Sequence, residues 1–133
     1  MRIEVFSLCD AATVDSGGKL NILGAFDTIW AVNMPLVYPQ FAIALRVRFD
    51  SIESGEHKVN VNFVDMDGRH ILPSANGAIH VHLPQGQRSF SANSILNVQM
   101  IKIEKYGEYS IDLIIDTKHL ASLPLFIVQQ PKR

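Results

Sequence analysis

Phe41, Ile43, Leu45, Val47 and Phe49 alternate with Ala42, Ala44, Arg46, Arg48 and Asp50, a period of two that a strand with one buried face sustains. The same rhythm returns in Val59, Val61 and Phe63 against Lys58, Asn60 and Asn62. A turn-like Glu53-Ser54-Gly55-Glu56 separates the two runs, so they are expected to pair as a hairpin. Near the C-terminus Tyr109, Ile111, Leu113 and Ile115 alternate with Ser110, Asp112, Ile114 and Asp116, and Leu123, Leu125 and Ile127 continue the inward set in a second hairpin. At the N-terminal end residues 3–13 and 20–32 flank Asp15-Ser16-Gly17-Gly18, where the glycines admit the positive φ of a tight turn. Alternation slips at Val5-Phe6 and Leu23-Gly24, which predicts bulges or strands buried on both faces. Residues 78–83 read as a short strand and 95–103 as a longer one, because a helical stripe through Ile95 and Val98 runs into Lys102.

No segment sustains a helical stripe, so the chain is expected to be all-β, with eight or nine strands forming an antiparallel two-sheet sandwich, immunoglobulin-like or related. Without internal repeat, low-complexity tract or linker, residues 1–133 read as a single β-sandwich domain. Residues 33–40, carrying Pro35 and Pro39, and 84–94, rich in Gln, Ser and Asn, are the expected long loops.

Charge narrows the partners. Twelve Lys and Arg against thirteen Asp and Glu leave a net charge of −1, which supplies no field to steer the chain onto phosphate backbones, so nucleic acid is not an expected partner. Cys9 is the only cysteine, which excludes an intrachain disulfide and fits a reducing compartment. The start lacks an apolar leader and no apolar run approaches a membrane span, so a cytoplasmic location with no membrane partner is expected.

Candidate chemistry is sparse, and no cofactor is called for. His80 and His82 leave one strand face together, a spacing that offers two nitrogens to one metal, but the third ligand would have to be His70 or Asp67, brought in by folding; a solvated face is the preferred explanation of the pair, and no metal is expected. Asp65-Met66-Asp67-Gly68 fails as a calcium loop, since that alignment puts Phe63 at the first ligand position and Ser74 at the last; Asp67-Gly68 reads as a hairpin turn instead. Cys9, among Phe6, Leu8, Ala11 and Ala12, reads as a buried structural thiol, and Gly17-Gly18-Lys19-Leu20 lacks the spacing of a phosphate loop. Arg46 and Arg48, with Lys58 as a neighbour, form a small basic patch. Residues 30–38 crowd Trp30, Val32, Met34, Leu36, Val37 and Tyr38 into a segment that covers one end of the sandwich or presents a recognition surface; Trp30, Met34, Leu36 and Tyr38 are its binding candidates. Ile114, Phe126 and Val128 lie on the face of the C-terminal hairpin that should be wet, which marks an interface, covered by a second copy or by residues 30–38 folding back.

Two stretches carry a resemblance. Tyr106-Gly107-Glu108-Tyr109-Ser110-Ile111-Asp112-Leu113 looks like the Gly-x-Tyr start of a late strand in immunoglobulin-like sandwiches, where a tyrosine corner ties a loop to the strand. Leu8-Cys9-Asp10-Ala11-Ala12, the run from Gly18 to Asp27, and Leu123-Pro124-Leu125-Phe126 resemble an uncharacterised family of small bacterial proteins, a domain of unknown function. That resemblance implies a compact β domain and brings no activity with it. The function expected is a non-enzymatic binding or assembly module, with a homodimer favoured and a separate protein partner as the other occupant. The alternatives are a small metal-dependent enzyme or sensor using His80 and His82, and a weak anion-binding protein using Arg46 and Arg48.

Overall fold

The computed structural model describes residues 1–131. Nine strands run in chain order among these residues: β1 (Arg2–Val14), β2 (Leu20–Ala25), β3 (Thr28–Ala31), β4 (Leu36–Asp50), β5 (Gly55–Val64), β6 (Ala75–Val81), β7 (Ser89–Ile103), β8 (Gly107–Ile115) and β9 (Lys118–Gln129). One sheet has the order β2-β1-β4-β7 and the other β3-β9-β8-β5-β6. The sheets pack face to face: Leu8, Phe41 and Ile43 of the first share one apolar cluster with Phe63, Tyr109, Ile111, Leu125 and Ile127 of the second. Leu45, Val47 and Phe49 meet Val59, Leu113 and Ile115 in an adjoining one. Alternation therefore identified the interior, with only Val61 and Leu123 of the fifteen inward residues named above left partly exposed. No helix among the described residues is long and apolar enough to cross a membrane.

Several local expectations change. β4 and β5 are not a hairpin; they lie in opposite sheets, because β4 already pairs with β1 and β7 on its two edges. A single 3-10 turn, Ser51–Glu53, carries the chain across, and Glu53 Oε1 accepts the Asp50 N–H at 2.9 Å. The run 20–32 is likewise two strands: β2 pairs antiparallel with β1, whereas β3 pairs parallel with β9 in the other sheet. Gly24, at φ +68°, stands where an added Cβ would come within 2.4 Å of Asp10 Oδ2, and Phe26 N–H then bonds Leu8 O as the chain changes sheets.

Both expected long loops are shorter than the composition implied. Leu36 to Gln40 opens β4, and Ser89 to Ser94 opens β7. Pro39 fits inside a strand because the ladder skips it: pairing steps from Tyr38 with Ile101 to Gln40 with Gln99, and Met100, opposite the missing donor, takes φ +52°. The slip at Val5-Phe6 corresponds to a register shift between Ile3 and Val5. The Asp65 to Arg69 turn joins β5 to β6 as expected, with Asp65 Oδ1 accepting the Asp67 and Arg69 N–H groups at 2.9 Å each.

The first sheet gains a partial third layer. β1 stays beside β4 only as far as Cys9, which pairs with Ala42. Beyond it the β1–β2 hairpin folds across the outer face, so that Gly18 O accepts Asn93 Nδ2 of β7 at 3.0 Å. Ala12 and Leu20 of this hairpin, with Ile95, seal Cys9, buried as expected, together with Ala42 and Ala44, which are fully buried on a strand face expected to be wet. Small residues at 42 and 44 leave the room that the returning hairpin occupies.

Candidate functional site

β7 ends its sheet and is hydrogen-bonded to β4 along one side only. Among the described residues its other edge receives no backbone hydrogen bond from a neighbouring strand, and Ser89 O is met by Gln87 Nε2. From Ser89 to Ile101 this edge holds neither a charge nor a proline, the devices by which edge strands are commonly protected from adding a further strand. The inward side chains of β7 are Phe90, Ala92, Ser94, Leu96 and Val98, set opposite Phe49, Val47, Leu45, Ile43 and Phe41. Those five partners on β4 are buried, yet Ser94 is exposed and Phe90, Ala92, Leu96 and Val98 are only half buried. The sandwich is open here. An apolar cleft of about 250 Å³ runs between β7 and the β5–β6 connection, floored by Ile43, Val61 and Phe63 and walled by Leu72, Leu96 and Val98.

The end of the sandwich carries a larger, polar cleft of about 490 Å³ between the Asp65 to Ile71 turn and the Glu104 to Tyr109 loop. Arg69, Lys102 and Lys105 line it together with Asp65, Asp67, Glu104 and Glu108, so both walls mix opposite charges and neither sign dominates. Its loop is fixed by Tyr109, whose hydroxyl donates to Lys105 O at 2.6 Å, and by Tyr106, whose hydroxyl donates to Ala31 O at 3.0 Å.

On the outer face of β8 and β9, Asp112 Oδ1 accepts both the Ser110 and the Ser122 hydroxyls at 2.6 Å, and His119 Nε2 lies 2.7 Å from Ser122 Oγ. Burial alone would raise the Asp112 carboxyl; the two hydroxyls and the nearby imidazole outweigh it and hold the group below its usual range. These are the residue types of a nucleophilic triad in an arrangement that does not activate a nucleophile. The carboxylate takes the serine protons itself, where a triad carboxylate would orient the imidazole through its other nitrogen.

The sequence reading missed His57. Its Nδ1 meets Asp116 Oδ2 at the β8–β9 turn and its Nε2 meets Glu53 O, so both ring nitrogens face acceptors and the doubly protonated imidazolium satisfies both. Burial disfavours that charge, but the Glu53 carbonyl and the Asp116 carboxylate outweigh it and raise the pKa of His57. Phe49 stacks on the ring at 4.7 Å, and Glu53 also holds the Met1 α-amino group at 2.6 Å. The cluster ties the end of β4 to the β8–β9 hairpin. Only tertiary folding brings 53, 57 and 116 together, and no spacing in the sequence signals it.

The residues singled out by sequence fall apart differently. His80 and His82 are exposed at the β6 edge, and among the described residues no three His, Cys, Asp or Glu side chains form a metal-holding group. Glu4 bridges Arg46 and Arg48, at 3.0 and 2.8 Å, while Asn93 and Ser89 accept further guanidinium protons; Lys58 lies in the opposite sheet and is no neighbour of theirs. Of residues 30–38, Met34, Leu36 and Tyr38 pack against the core, whereas Trp30 is 60% exposed. β3 does not fold over the C-terminal hairpin but lies beside it in the same sheet, setting Trp30 next to Val128 and Thr28 next to Phe126. Ile114 belongs to no patch with them: Phe126 pairs with Glu108, six residues along β8 from Ile114, or about 20 Å.

These features define a two-sheet β-sandwich domain with an open side edge and mixed-charge surfaces. The chain belongs to a family of unknown function, DUF6941, whose pattern matches residues 4–128. No curated protein matches it. Among solved structures it is similar to the crystal structure of a β-glucosidase from Listeria innocua in complex with isofagomine, with a TM-score of 0.53 at 8% identity. That match covers 95% of this chain and 16% of the other, and is a likeness of fold alone.

Proposed function

We propose that this protein is a non-enzymatic binding or assembly module that receives an extended strand along β7. The observation that carries the reading is the combination of an uncharged, unpaired edge with half-buried inward side chains above an apolar cleft. An added strand would bond the free backbone groups of β7 and place alternate side chains between the sheets, the arrangement of recognition by strand addition. We also read the sandwich as immunoglobulin-like, on the parallel pairing of β3 with the last strand and the Tyr109 hydroxyl tied four residues upstream. A cytoplasmic location fits the single, buried, unpaired Cys9.

The test is amide chemical-shift mapping with a soluble alternating Thr-Val peptide of about ten residues, long enough to span the edge. Shifts confined to β7 and to Leu72 and its neighbours are expected. Shifts at the polar end cleft, or none at all from monomeric protein, would sink the reading.

A further inference from the structure

We infer that the strand received at β7 is β7 of a second copy of this chain, joined antiparallel about a two-fold axis through Ser94. The inference rests on the strand-addition reading above and names its occupant.

A two-fold axis normal to the sheet leaves the inward faces of both copies on the same side. Residues paired across the axis must then share their facing, so their numbers sum to an even value and one residue pairs with itself. The uncharged run suggests which. It is bounded by Arg88 before Ser89 and by the backbone break at Met100, and its midpoint is Ser94. Ser94 is inward-facing yet exposed. About this centre Ala92 meets Leu96 and Phe90 meets Val98, each an apolar pair on the inward face. Ser91 meets Asn97, and Ser89 meets Gln99, on the outward one. The two Ser94 hydroxyls meet each other, the place where a polar inward residue is best tolerated.

Two properties favour a second copy over an unrelated strand. Pairing the run with itself brings no like charges together, since it has none. The arrangement also closes both openings at once: Phe90 of one copy stands over Val98 of the other, at the mouth of the cleft formed by Leu72, Leu96 and Val98. A one-sided partner would leave its own edge unpaired, whereas the two-fold consumes both edges.

The experiment is light scattering on the wild type, on Ser94→Lys, on Ser94→Glu and on an equimolar mixture of the two variants, at concentrations on the order of tens of micromolar. Because Ser94 is exposed, both variants are expected to fold, which circular dichroism and thermal unfolding check. The wild type should have twice the 14.8 kDa mass of the chain, each variant alone should be monomeric, and the mixture should regain the dimer. A wild-type dimer indifferent to either charge would overturn the placement. A monomeric wild type whose β7 amides still shift with the alternating peptide would overturn the second copy and leave strand addition standing. A monomer whose β7 ignores the peptide would overturn both.

Discussion

β4 and β7 are neighbours, each fifteen residues long, joined by a ladder interrupted only at Pro39, yet they differ in what lies on their far side. β4 has β1 there and its inward residues are sealed. Among the described residues β7 has no strand there, and its apolar residues pointing into the same core are half open. Burial in this sandwich is thus set by position in the sheet as much as by the hydrophobic pattern, and the difference locates the side at which the domain is unfinished.

The largest test of that contrast uses one residue type on both strands. Leu45 is 4% exposed on β4, and Leu45→Ala should destabilise by about 2–5 kcal/mol, the loss of transfer energy plus a cavity that the packed core cannot collapse. Leu96→Ala on β7 should cost well under half of that in dilute protein, because its side chain already meets water. If β7 is covered by a second copy, the Leu96→Ala cost should grow with protein concentration while that of Leu45→Ala does not. Urea unfolding at two concentrations reads both; equal costs for the two leucines would show that the edge is not open.

A smaller effect is expected where the first sheet turns out of its plane. Gly24→Ala combines a positive φ with a Cβ placed against the Asp10 carboxylate, and should cost about 1–3 kcal/mol. The companion Gly18→Ala shares the positive φ but meets open space, so it should cost less. If the two were equally damaging, backbone strain alone would account for both and the Asp10 contact would carry no weight.

The strand pattern and the interior could be read from the sequence because a period of two is a property of each segment alone. Strand partners could not. Phe41 to Phe49 and Val59 to Phe63 are separated by a turn that would suit a hairpin, and only the occupancy of both β4 edges sends β5 to the other sheet. The wet face expected at Ala42 and Ala44 was a reading of polarity, whereas their small size is what lets the β1–β2 hairpin return over them. His57 was invisible for a similar reason: its partners Glu53 and Asp116 come from a turn and from another hairpin. Composition misled on the loops, since Gln, Ser and Asn at 84–94 suggested a long loop when part of it is the exposed edge strand itself.

His57 marks a joint between the sheets, and its contribution should depend on pH. Its pKa is raised by folding, so the stabilisation is complete below the ordinary imidazole value of about 6.5 and is lost as pH rises through the folded value. Asp116 has the opposite sign. The His57 hydrogen bond, with the Lys58 N–H adding to it against a small burial penalty, depresses its pKa, so its stabilisation is present above the ordinary carboxylate value and is lost as pH falls through the depressed one. Urea midpoints should therefore fall as pH rises above the ordinary imidazole value of about 6.5 in the wild type, and His57→Gln should flatten that fall. An unchanged slope in the variant would assign the pH dependence to other groups.

The smallest expected effect concerns the third layer, which joins the well-buried half of the first sheet to its open edge. Asn93 of β7 donates to Gly18 O at the hairpin tip and its own Oδ1 accepts from Arg46 at 3.0 Å, so it pins the returning hairpin to the strand that the rest of the fold leaves free. Asn93→Ala removes both of these hydrogen bonds at a half-exposed site while Ala12, Leu20 and Ile95 keep their apolar contacts, and should cost about 0.5–1.5 kcal/mol overall. The local consequence should be easier to see than the global one. Cys9 is fully buried beneath the hairpin, and burial, reinforced by the Asp10 charge, pushes its thiol pKa up, so it should be nearly inert to a thiol reagent in the wild type. Opening of the hairpin exposes it without unfolding the sandwich, so Asn93→Ala should raise the labelling rate several-fold, by about the exponential of the lost hydrogen-bond energy over RT. Labelling at the wild-type rate would mean that the apolar seal alone holds the layer, and that β7 contributes nothing to it beyond Ile95.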